Sequence, residues 1–138
     1  MKNITVFVFC LLVSFPILAL DLSKSNKGEF DITNIYSSEK GITISGEGDV
    51  GKYGKVLATW TLYTNGWSNT HGLFKGFART FNPEGKMVEA QLTGIWDGGG
   101  TSFRIHSLDD LNNGEQNFVI LEVDLKENKV LAEIFLVD

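Results

Sequence analysis

The chain of 138 residues holds one cysteine, Cys10, and it falls inside the most apolar stretch of the sequence. Beyond that stretch there is no thiol. This excludes a disulfide-stapled scaffold, a thiol nucleophile and a cysteine-based zinc site in the remainder. Bulky Phe9 before Cys10, and half the apolar run after it, also break the pattern of a lipid-modified cysteine. Histidine is nearly as scarce. His71 and His106 stand far apart, whereas a zinc site takes three or four ligands, and no serine lies in a G-x-S-x-G elbow. No metal and no cofactor are expected.

Positive charge is also in short supply, with 12 lysines and arginines against 17 acidic residues. That balance argues against nucleic acid, where lysine and arginine must neutralise phosphates, and against docking on anionic lipid. Low-complexity tracts and linkers are missing too. So is any sustained three-and-four spacing of apolar residues in the body of the chain, which excludes an amphipathic-helix architecture.

Lys2 followed by a nearly unbroken apolar run from Ile4 to Leu20 has the layout of a secretory signal. Small Ala19 and the polar switch at Asp21 place the expected cleavage after Ala19, leaving residues 20–138 as one domain. A retained membrane anchor is the rival reading. Cleavage leaves 11 basic and 17 acidic side chains, a net charge of −6. A secreted or periplasmic protein with no membrane contact after cleavage is expected.

Turn residues punctuate the body at short intervals: Gly46-Glu-Gly48, Asn65-Gly66, Pro83-Glu-Gly85, Gly98-Gly-Gly100 and Asn112-Asn-Gly114 among them. Between them lie runs of period two. Val56, Ala58, Trp60 and Leu62 alternate with Leu57, Thr59, Thr61 and Tyr63; Val119, Leu121 and Val123 oppose Ile120, Glu122 and Asp124. Successive strand side chains point to opposite faces, so each run can bury one face. About eight strands are expected, near residues 30–36, 42–46, 55–64, 73–81, 87–96, 102–107, 116–125 and 130–137, with hairpins at 82–86 and 126–129. Eight up-and-down strands tend to close, since closure removes exposed edges. The expected fold is all-β, a single small antiparallel up-and-down barrel of calycin-like shape, with a two-sheet sandwich as the alternative. A helical turn is expected only near Leu108-Asp-Asp-Leu111. Gly94-Ile-Trp96 has the letters of the lipocalin G-x-W motif, but it lies on the fifth expected strand rather than the first, so no function is carried across.

Several features invite a functional reading. Gly46-Glu-Gly-Asp-Val-Gly51 matches G-x-G-x-x-G, yet an alternating run follows where a dinucleotide site needs a helix. Gly98-Gly-Gly100 has neither the lysine nor the helix of a phosphate loop. Glu122 and Asp124 share a strand face, as a carboxylate pair would, or as a solvated face would. Ser107 to Gly114 has the composition of a calcium loop without its spacing. Arg79, Arg104 and His106 are candidate polar anchors for a ligand held in the barrel. On the strand of Arg79, either it points into a polar lumen, or Gly76, Ala78 and Thr80 lie inside and the long side chains outside. Trp67, flanked by polar residues, is a candidate rim contact or partner anchor. The leading expectation is an exported barrel that binds a small apolar or amphipathic ligand. The alternatives are an isomerase or cyclase using Glu122 or Glu89, and a secreted effector or inhibitor that meets a protein partner through the Trp67 loop.

Overall fold

The computed structural model describes residues 24–64, 68–81 and 84–137. Eight strands run in chain order: β1 Asn26–Ser38, β2 Gly41–Asp49, β3 Lys55–Tyr63, β4 His71–Phe81, β5 Met87–Gly99, β6 Ser102–Leu111, β7 Gln116–Asp124 and β8 Lys129–Leu136. Each pairs antiparallel with its chain neighbour, and β1 pairs with β8, giving a closed up-and-down barrel. The expected sandwich alternative is thereby set aside.

Closure rests on six β1–β8 pairs, from Asn26 opposite Ile134 to Asp31 opposite Lys129. Lys129 Nζ lies 2.5 Å from Asp31 Oδ1 and 2.8 Å from Glu29 Oε1, two carboxylates that raise the pKa of its ammonium. Past Asp31 a bulge at Thr33 shifts the β1–β2 register, so Ile32 faces Gly46 and Ile35 faces Ile44. One extra residue reverses the alternation and bends the strand.

The inward faces form a continuous core. Trp60, Phe74, Ile44, Leu62 and Ile105 are all buried, at 1 % exposure or less. Burying side chains of this size stabilises a fold by about 1.5–3 kcal/mol each. On β4 the small residues Gly72, Gly76, Ala78 and Thr80 face the core together with Phe74, while Leu73, Lys75, Phe77, Arg79 and Phe81 are exposed. Gly76 sits opposite Trp60 and Gly72 opposite Trp96. A Cβ on Gly72 would stand 2.9 Å from Trp96 Nε1, so here glycine makes room for tryptophan.

One expected element is corrected. Leu108–Leu111 is not a helical turn but the end of β6, with Asp109 and Leu111 continuing the inward series of Phe103, Ile105 and Ser107. The strand pairs that flank both expected hairpins form, Phe81 opposite Met87 and Asp124 opposite Lys129, and residues 82–83 of the first connection lie outside the described residues.

Candidate functional site

The up-and-down order brings the start of β1, the β2–β3 link, the β4–β5 connection, the β6–β7 turn and the end of β8 to one end of the barrel. That end is hollow. A cavity of about 70 Å³ opens there, walled by Phe30, Val56, Trp60, Leu92, Val119 and Ile134 among others. Its origin lies in the register. Ala58 pairs directly with Ala78, and Ala78 with Ala90, so three neighbouring strands present a methyl group at one level. At that level these three strands project nothing larger than a methyl group.

A polar cluster completes the cavity. Asp109 and Asn117 are cross-strand partners on the inward face, and both line it. Ser107 Oγ donates to Asp109 Oδ1 at 2.5 Å. Burial pushes the Asp109 carboxyl up to about 6, partly offset by the Ser107 hydrogen bond. Low dielectric disfavours the charged form, and one hydroxyl donor does not restore the lost solvation. Asn117 is 4 % exposed, and its Oδ1 has no hydrogen-bond partner among the described residues. Buried side-chain oxygens are ordinarily satisfied, because an unmade bond costs about 1–3 kcal/mol.

The β2–β3 link straps the mouth. Val50 to Gly54 closes a 3₁₀ turn, with Gly51 and Gly54 at φ of 49° and 68°, a region that favours glycine. The turn delivers Tyr53 over the opening. Its hydroxyl donates to Glu115 Oε2 at 2.7 Å and accepts from Asn117 Nδ2 at 2.9 Å. Lys52 Nζ adds an ion pair at 3.3 Å to the same Glu115. Burial and the Glu115 contact raise the Tyr53 phenol to about 12, and the bond from Tyr53 lowers the pKa of Glu115. Thr80 Oγ1 ties the strap to β4 through the carbonyls of Tyr53 and Lys55.

The anchors expected from the sequence lie elsewhere. Arg79 projects outward and pairs with Glu89, Nη2 to Oε1 at 2.9 Å; this ion pair touches only the rim of the cavity. Arg104 is also outside, its Nε 2.6 Å from Glu122 Oε1. His106 faces outward and stacks on Phe118 at 6.2 Å. All three fail to point inward for one reason: alternation puts Ala78, Ile105 and Ser107 there instead. Glu122 and Glu89, the expected catalytic carboxylates, are the outer partners of those arginines, and Asp124 caps the β7–β8 turn by accepting from Lys126 N and Glu127 N. Trp67 lies outside the described residues. Among the described residues no three of His, Cys, Asp and Glu gather as a metal site would require.

Tyr53 and Asn117 carry no functional pattern in the sequence, and Asp109 stands out there only within the calcium-loop-like composition of Ser107 to Gly114. The signal that could have placed Asp109 inward is the continuation of the period-two series Phe103, Ile105 and Ser107 through it, masked by the turn-like composition of Leu108 to Gly114. Comparison with known proteins leaves the geometry to speak for itself: no protein-family model, no curated protein and no solved structure matches the chain.

Proposed function

We propose that the protein is an exported barrel that binds one small amphipathic molecule at its hollow end. The apolar body rests against Ala58, Ala78 and Ala90, and the polar head meets Asp109 and Asn117. The observation that carries this reading is the Asn117 Oδ1, buried without a partner among the described residues beside a desolvated carboxylate, in a cavity with apolar walls. Ligand sites are typically apolar clefts with a few convergent polar groups, often with a perturbed pKa. The apolar run at residues 4–20 supports export before folding.

The test is native mass spectrometry of protein purified from its producer without detergent, beside an Ala78→Leu/Ala90→Leu double variant that fills the wall. The expected result is an adduct on the wild type that leaves on unfolding and is missing from the variant. A bare wild-type mass, or an adduct the filled variant retains, contradicts the reading.

A further inference from the structure

Every strand position that faces inward is uncharged, with one exception. Of the described residues on those faces, Asp109 alone carries an ionisable group. The other charges near the cavity are already balanced. Arg79 and Glu89 neutralise each other at the rim, and Glu115 is held by Lys52 and the Tyr53 hydroxyl. The hydroxyl donors are committed as well. Ser107 donates to Asp109, Tyr53 donates to Glu115, and Thr80 lies against two backbone carbonyls. What remains unmatched is an acceptor pair on adjacent strands: the Asp109 carboxylate, given only one hydroxyl, and the bare Asn117 Oδ1.

An anionic head would be repelled by that carboxylate. A neutral hydroxyl has one hydrogen for two acceptors and brings no charge. An ammonium has three donors and one positive charge, which suits both atoms together. Charge-assisted hydrogen bonds in a water-poor site are also the strong ones. Resting on the binding reading above, we infer that the ligand is a small organic cation, a primary ammonium with a short apolar body. Its N–H groups bond the Asp109 carboxylate and Asn117 Oδ1, and its hydrocarbon lies on the alanine wall. The size of the cavity limits the enclosed part to a few heavy atoms; a longer chain extends through the mouth past Tyr53.

The experiment compares two probes of matched shape, n-butylamine and n-butanol. Each is titrated into the full-length mature protein at neutral pH by NMR, with the wild type and the near-isosteric Asp109→Asn. The wild type is expected to bind the amine ~tenfold or more tightly than the alcohol. Asp109→Asn is expected to bring the two within about twofold of each other by weakening the amine, with the alcohol unchanged. Equal or tighter binding of butanol to the wild type overturns the cation inference while leaving the binding cavity in place. A preference for the amine that survives in Asp109→Asn removes Asp109 as its partner and overturns it too. Binding of neither probe overturns the cavity reading itself.

Discussion

The two ends of the barrel are built from the same strands by opposite rules of pairing. At the β3–β4 and β5–β6 loop end, large meets small: Trp96 lies opposite Gly72 and packs edge-on against Phe103 at 5.7 Å, Phe74 lies opposite Gly94, and Ile105 is fully buried. At the strap end, small meets small. Ala58, Ala78 and Ala90 share one level, and the space they leave is bordered by a carboxylate and an amide rather than by more hydrocarbon. Interdigitation at native density specifies a rigid core, whereas a row of like small residues leaves a void whose lining forfeits dispersion contacts. The first end supplies stability; the second gives part of it up for a polar-headed cavity.

The sharpest way to break this contrast is to remove bulk from the packed end. Phe74→Ala deletes a side chain at 1 % exposure and is expected to cost about 3–5 kcal/mol in urea unfolding. Adding bulk at the hollow end has a different outcome: Ala90→Leu is expected to cost less than the about 1–3 kcal/mol typical of adding bulk to a packed core, because the space exists. Comparable losses from both would mean that the hollow end is packed as tightly as the other.

A second test uses protons. The Asp109 carboxyl is raised from 3.8 to about 6, so the folded barrel holds this proton more tightly than the unfolded chain does. Its contribution is favourable at pH values below the unfolded pKa and is lost as pH rises through the window from about 4 to 6. A shift of this size corresponds to about 3 kcal/mol. Asp109→Asn is therefore expected to be more stable than wild type by up to about 3 kcal/mol at pH 7, with the gap closing by pH 4. Glu115, with its lowered pKa, acts in the opposite sense, its contribution being lost as pH falls, so the difference between the two proteins isolates Asp109. A gap that does not depend on pH would contradict the burial of a charge at this end.

Tyr53→Phe removes the hydroxyl that joins the strap to Glu115 and Asn117. An expected loss of about 1–2 kcal/mol follows from stranding buried Asn117 Nδ2, with faster exchange of ligand at the mouth. The smallest effect belongs to the outer wall. Arg104 and Glu122 are each about half exposed, so Arg104→Ala is expected to cost about 0–1 kcal/mol and to leave ligand binding unchanged.

Much of the fold is written in alternation. The run from Val56 to Tyr63 states both its strand and its buried face, and the small residues of β4 read correctly as inward. The cavity is harder to read, because it depends on register. Ala58, Ala78 and Ala90 are unremarkable alone, and only the β3–β4–β5 pairing sets them side by side. Asp109 misleads for a different reason. Leu108-Asp-Asp-Leu followed by Asn-Asn-Gly has turn composition, and at Leu108 and Asp109 the usual polarity is reversed, the leucine exposed and the aspartate inward. Local rules tend to fail where a site has been built. Tyr53 has no sequence signal, since its role depends on a strap reaching Glu115 across the barrel mouth.

The most direct measurement follows the alanine methyl groups themselves. With ¹³C-labelled alanine, titration of n-butylamine into the protein is expected to shift Ala58, Ala78 and Ala90 together in one saturable process. Ala132, on the far side of the same cavity, should follow. Shifts confined to residues outside the barrel, or no shift in these methyls while the amine binds elsewhere, would contradict a ligand site at the hollow end.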